Sequence, residues 1–129
     1  MDDQELTRII IGCAYEVHNT LGSGFLESVY QRALAIELAK LGLSGIMEKK
    51  VPVYYDGQVI GDFKADLVIE ERVIVELKAI EALHQAHEVQ LVNYLVATGI
   101  QVGLLINFGP ERVDVKRKYR DYRPPKNKT

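Results

Sequence analysis

Three side chains in the middle of the sequence have the types and spacing to do chemistry: Asp66, Glu76 and Lys78. Glu76 and Lys78 stand two apart in Val73-Ile74-Val75-Glu76-Leu77-Lys78-Ala79-Ile80, an otherwise apolar run that reads as a strand buried on both faces. Charge inside such a strand must be paired or bind an ion, because burying it alone is costly. The preceding run, Gln58 to Ile69, is separated from it by Glu70-Glu71-Arg72. With those residues as the turn, Ile69 falls opposite Val73, Val68 opposite Ile74, Leu67 opposite Val75 and Asp66 opposite Glu76. Ala65, Lys64 and Phe63 then face Leu77, Lys78 and Ala79. This register makes one face wholly apolar, with Phe63, Ala65, Leu67 and Ile69 against Val73, Val75, Leu77 and Ala79. A one-residue slip would mix the faces. On the other face it sets two carboxylates side by side, which repel by up to about 1 kcal/mol when exposed and more when buried. A divalent cation between them removes the repulsion, and hard oxygen ligands suit Mg²⁺ or Mn²⁺. Lys78 would then stabilise charge developing on a phosphate or orient an attacking water. The same residues also fit a plain salt-bridge cluster on a solvated face, and taken alone they leave both readings open.

The elements that must position this group follow from periodicity. Leu6, Ile9, Ile10, Cys13, Ala14 and Val17 mark one face of a helix from about Gln4 to Leu21, broken by Gly22-Ser23-Gly24. A second helix is expected from Leu26 to Leu41. Strands Lys50 to Tyr55 and Gln58 to Ile69 flank Asp56-Gly57, a hairpin signal. Val73 to Ile80 is the third strand, Leu83 to Ala97 a helix ended by Gly99, and Gln101 to Asn107 and Arg112 to Lys118 the last strands. The order α-α-β-β-β-α-β-β predicts an α/β domain, a central mixed sheet flanked by helices, with a right-handed parallel crossover from Val73 to Ile106.

The chain has 129 residues, 47% hydrophobic and 26% charged, which suits one globular domain and excludes disorder, collagen-like repeats and a coiled coil. Residues 1–120 are read as that domain and 121–129 as a basic, Pro-containing tail. No apolar run approaches a membrane span, and the acidic start lacks the order of a signal peptide. The single cysteine, Cys13, falls on an apolar helix face; a soluble, reducing, cytoplasmic setting is expected. The net charge of -2 is uneven: seven Lys/Arg and one acid lie between Lys116 and Thr129. Lys116, Arg117, Lys118 and Arg120 are candidate phosphate contacts, against the alternative of a solvated, frayed terminus. Gly22-Ser23-Gly24 has no strand before it and is too short for a phosphate loop.

Asp66, nine intervening residues and Glu76-Leu77-Lys78 resemble the signature of the PD-(D/E)XK nuclease superfamily. Gly24-Phe25-Leu26-Glu27-Ser28-Val29-Tyr30 resembles the GxxExxY motif, which names a small family within that superfamily. The resemblance continues through Ala65-Asp66-Leu67-Val68, Gln90-Leu91-Val92-Asn93-Tyr94-Leu95 and Gly103-Leu104-Leu105-Ile106-Asn107-Phe108-Gly109, from about Glu5 to Arg120. It implies a restriction-endonuclease-like fold in which Asp66 and Glu76 bind Mg²⁺ (or Mn²⁺) and Lys78 assists the hydrolytic water. Glu27 would complete the metal shell; its plainer role is an acid favoured near a helix N-terminus. His84, His87, Gln90 and Tyr94 form a polar helical stripe, and Gln90-x-x-x-Tyr94 resembles the QxxxY motif of nuclease domains attached to recombination helicases. Gln90 and Tyr94, with Tyr30, are thereby expected to position substrate, the alternative for the first two being a solvated face. His18 fits the family pattern in a supporting role. Zinc at His84 and His87 lacks further ligands. The expected activity is Mg²⁺-dependent hydrolysis of phosphodiester bonds in DNA, or RNA. A non-catalytic nucleic-acid-binding or protein-interaction module is the rival. Expected partners are nucleic acid and a second copy of the chain or another protein, with no membrane.

Overall fold

The structure, a computed structural model, describes residues 1–121. The first helix, α1 (Asp3–Leu21), starts where the Asp2 carboxylate accepts the Glu5 N–H at 2.8 Å. It buries the stripe of Leu6, Ile10, Cys13, Ala14 and Val17. Helix α2 (Glu27–Lys40) buries Tyr30, Gln31, Leu34 and Leu38. Strands β1 (Gly45–Tyr55) and β2 (Gln58–Ile69) form a long hairpin. Asp56 and Gly57 both take positive φ at its turn, 51° and 76°, as a tight hairpin requires. Then come β3 (Val73–Lys78), α3 (Gln85–Thr98), β4 (Val102–Phe108) and β5 (Val113–Tyr119).

The five strands form one sheet in the order β1-β2-β3-β4-β5. All pairs are antiparallel except β3–β4, which is parallel across the α3 connection. All seven residues of β4 are buried. On one face α1 and α2 pack on Leu67, Ile69, Val73, Val75, Leu77, Leu104 and Ile106. On the other, Leu91 and Leu95 of α3 pack on Ala65, Val68, Ile74 and Leu105. Gly103 lets α3 approach, since a Cβ there would meet the Leu91 side chain at 2.9 Å. Among the described residues no helix is long and apolar enough to cross a membrane.

The expected element order and α/β class match this architecture, with differences at the edges. Strand β1 begins at Gly45 rather than Lys50. Its first half is mostly exposed and holds no buried residue, so no alternation marked it. Strand β3 ends at Lys78 rather than Ile80, because the Asn107 side chain takes over there, as described below. Lys116, Arg117 and Lys118 are strand residues of β5. Of the region read as a tail, residues 122–129, with Arg123, Lys126 and Lys128, lie outside the described residues.

One expected face is corrected. The β2–β3 register is as predicted from Ile69↔Val73 through Val68↔Ile74 to Leu67↔Val75, and the ladder stops there. Leu67 and Ile69 pack with α1 and α2, whereas Ala65 and Phe63 belong to the α3 side. The strand therefore reverses its facing at Asp66, and the wholly apolar face does not extend back to Phe63. Opposite Asp66 on β1, between Met47↔Leu67 and Lys49↔Ala65, Glu48 takes a left-handed φ of 56°. A regular pleat cannot continue through such a residue.

Candidate active site

Where the β2–β3 ladder opens, carboxylates replace backbone acceptors. Asp66 Oδ2 accepts the Leu77 N–H at 2.8 Å, and Glu76 Oε1 accepts the Asp66 N–H at 3.4 Å. Each side chain spends one oxygen on the opposite strand and keeps its second. Burial pushes the Asp66 carboxyl up, and the Leu77 N–H partly offsets this by favouring its charged form. Burial, and then the Asp66 charge, push Glu76 up to about 8. With Glu76 held at about 8, the metal-free pair retains a proton near neutral pH. Lys78, half-buried one pleat along, favours ionisation of both.

Glu27, the first residue of α2, reaches the same field from the helix side. Partial burial raises its carboxyl most; Lys78 lowers it, and Asp66 and Glu48 raise it further. Among the described residues, the carboxylates Glu27, Asp66 and Glu76 thus share one electrostatic neighbourhood with Lys78, and Glu48 acts on Glu27 and Asp66.

Three members of this arrangement were not singled out in the sequence. Gln31, buried one turn after Glu27 on α2, donates to the Asp66 carbonyl at 2.7 Å and to Glu48 Oε1 at 3.3 Å. It ties α2 to both strands at the point where they become irregular. Its signal is an amide on the buried face of the helix, four residues from Glu27. Glu48 carried no signal, lying in the weakly patterned start of β1. Asn107, wholly buried, stands beside Lys78 in the parallel β3–β4 register. Its amide donates to the Ile80 carbonyl and accepts the Ile80 N–H, both at 2.9 Å, pinning the chain just beyond Lys78. Its signal is one polar residue inside Leu104-Leu105-Ile106-Asn107-Phe108.

The remaining expected residues divide. Tyr94 lies beside the carboxylates: its hydroxyl is raised by burial, then by Glu76 and Asp66, and its ring stacks on Phe63 at 3.6 Å. Gln90 is exposed one turn earlier on α3. His84 and His87 form the start of that helix, with the His84 N–H donating to His87 Nδ1 at 3.1 Å. Tyr30 is wholly buried, donating to the Gly22 carbonyl at 2.6 Å and stacking on Phe108 at 4.4 Å. It has no surface to offer a substrate, and it holds the loop that leads into Glu27. His18 supports the same corner, its Nε2 lying 2.9 Å from the Gly109 carbonyl oxygen. Lys116, Arg117, Lys118 and Arg120 stand at or beyond the far edge strand, two strands from β3. Lys118 pairs with Glu88 at 2.5 Å and Arg120 donates to the Gly99 carbonyl at 2.8 Å, while Lys116 and Arg117 are exposed.

A family model for the PD-(D/E)XK nuclease superfamily matches residues 4–118. The chain belongs to this superfamily. A solved structure described as "Crystal structure of SSO0001" is similar in fold, with a TM-score of 0.57 at 18% identity, covering 94% of this chain and 61% of that one. The chain therefore spans about three-fifths of that structure's length. No curated protein matches the sequence.

The donor set of this PD-(D/E)XK domain fits the cation its superfamily usually employs. Asp66 and Glu76 keep one hard oxygen each, Glu27 supplies a third carboxylate, and burial first, then neighbouring negative charge, raises all three, a cost that a divalent ion would relieve. Among the described residues no three His, Cys, Asp or Glu side chains already converge on one position. Glu27 is exposed at the start of α2.

Proposed function

We propose that the protein is a Mg²⁺- or Mn²⁺-dependent nuclease that hydrolyses phosphodiester bonds in DNA, with RNA as the second substrate class. The observation that carries this reading is the Asp66–Glu76 pair. Two half-buried carboxyls are forced together where the sheet opens, at an electrostatic cost that a structural cluster has no reason to keep. Asp66, Glu76 and Glu27 would hold the ion, which when bound lowers the pKa of water and neutralises the scissile phosphate. Lys78 holds its ammonium against the phosphate or the attacking water, anchored by Asn107 behind it. Gln90 and Tyr94 face incoming substrate from α3. Glu27 at the start of α2, preceded by Gly24, supports assignment to the GxxExxY-type members of the superfamily. Residues 1–120 are the unit that acts, in a cytoplasmic setting that suits the unpaired, buried Cys13 thiol.

Mn²⁺ calorimetry on the wild type and Asp66→Asn, followed by incubation with single- and double-stranded DNA, tests this. Loss of metal binding in the variant together with metal-dependent cleavage by the wild type supports the nuclease. Absence of metal binding in the wild type makes the cluster structural. The second reading, a nucleic-acid-binding module that does not cut, is favoured by one observation: the ligand set is not closed around a point among the described residues.

A further inference from the structure

We propose that the β1–β2 hairpin is a binding arm for a single nucleic-acid strand, with phosphates on Lys50 and Lys64 and bases on Tyr54 and Tyr55. The strand's destination, the Asp66 site, rests on the nuclease reading; the binding itself does not.

Lys50 and Lys64 are direct register partners, and both are exposed. Like charges opposed across a strand pair are destabilising. Asp62 lies 3.2 Å from Lys50, and Lys64 makes no ion pair among the described residues. A phosphate between the two ammonium groups turns this repulsion into attraction. On β2, Lys64 precedes Asp66 by two residues, about 7 Å of strand, across the reversal of facing at Asp66, so the hairpin leads along its length toward the carboxylates.

Beyond the lysines the hairpin outruns the helices that cover the rest of the sheet. Tyr54, Tyr55, Val59 and Ile60 are 62%, 72%, 59% and 65% exposed. Large apolar side chains gathered at one tip mark an interaction surface. Tyr54 also lines a groove of about 270 Å³ with Lys49 and Lys50, which puts aromatic and cationic groups side by side. Tyrosine faces stack on unpaired bases with about 1–3 kcal/mol per base, whereas a duplex keeps its bases stacked on each other. Strand addition by a second copy is disfavoured at this edge: Pro52 has no N–H to donate, and the register shifts between Val53 and Tyr54.

The test is fluorescence anisotropy with a labelled single-stranded DNA of about 15 nucleotides, in chelator so that nothing is cut. The proteins are the wild type, Lys50→Glu/Lys64→Glu and Tyr54→Ala/Tyr55→Ala, all at exposed positions and checked for native melting. Each double variant is expected to bind roughly tenfold more weakly, and the lysine pair to lower the salt slope by about 1.4, as expected for two phosphates. Wild-type affinity in both variants overturns the proposal, as does a wild type that binds no single strand. Loss of self-association in the variants with unchanged DNA affinity also overturns it, assigning the arm to a second copy. Metal-dependent cleavage by the wild type is read separately. Cleavage with undiminished binding in the arm variants refutes the arm and leaves the nuclease. Binding that depends on the arm without any cleavage supports the arm and refutes the nuclease.

Discussion

Asp66 and Glu76 exchange roles across the opening between β2 and β3: the Asp66 carboxylate accepts an N–H from the strand of Glu76, and the Glu76 carboxylate accepts the N–H of Asp66. The side chains that would bind an ion are also what closes the sheet where its ladder ends. Charge and backbone geometry are therefore separable by substitution.

Asp66→Asn retains an amide oxygen able to accept the Leu77 N–H, so the fold should stand while the charge is removed. Mn²⁺ affinity should fall at least roughly tenfold, the scale seen when ligand-shell groups are changed. The Glu76 carboxyl should drop from about 8 toward its ordinary value as its charged neighbour disappears. Asp66→Ala should cost a further 1–3 kcal/mol or so, because the Leu77 N–H then has no acceptor. Calorimetry, carboxyl NMR titration and urea melts check the three outcomes. An unmoved Glu76 titration would dismiss the proposed coupling.

The metal-free protein should lose stability as pH rises. Glu76 has a folded pKa of about 8 against an ordinary 4.5, so its contribution is complete below about pH 4.5 and gone as pH passes through about 8. Asp66 and Glu27, also raised, add in the same direction at lower pH. Urea midpoints measured from acid to mildly alkaline pH should decline through this window in the wild type and much less in Glu76→Gln. Millimolar Mg²⁺ should flatten the wild-type curve by binding the ionised form. A flat metal-free profile would contradict the burial of Glu76.

Glu48→Gly should separate stability from function. Glu48 holds a φ of 56°, which glycine adopts without strain, so the substitution should stabilise the fold by up to about 1 kcal/mol. It also removes a carboxylate that raises Asp66 and Glu27, and it takes away one acceptor of Gln31. Divalent-ion affinity should fall as the melting temperature rises. A less stable Glu48→Gly would show that the Gln31 hydrogen bond outweighs the backbone strain.

The sheet and the juxtaposition of Asp66, Glu76 and Lys78 were legible because each rests on alternation next to a clear turn signal. The β2–β3 register followed from three turn residues and from the apolar partners of Val73, Ile74 and Val75. The uninterrupted pleat that the expected register requires breaks at Asp66, and the reversal there depends on Glu48, a β1 residue with no periodic signal. Gln31 and Asn107 stayed hidden for a related reason. Each is a buried amide satisfied by backbone from a distant element, and only the tertiary structure shows which backbone that is. Tyr30 was misread as a substrate group because the motif that contains it does not distinguish a residue that touches substrate from one that braces the loop beside it.

Truncation distinguishes the edge strand from the basic terminus. Removing residues 116–129 takes half of β5, leaving the β4 ladder from Val102↔Tyr119 to Leu105↔Lys116 unpaired and its buried side chains uncovered on that flank. That protein should fail to fold cooperatively, so it cannot report on nucleic-acid binding. Removing residues 122–129 leaves every described element intact and takes away Arg123, Lys126 and Lys128. Its thermal midpoint should match the full chain. If the terminus binds phosphates, the slope of log affinity against log salt should fall by about 0.7–0.9 for each phosphate no longer neutralised. An unchanged slope with unchanged melting would place the phosphate-binding groups wholly within residues 1–121.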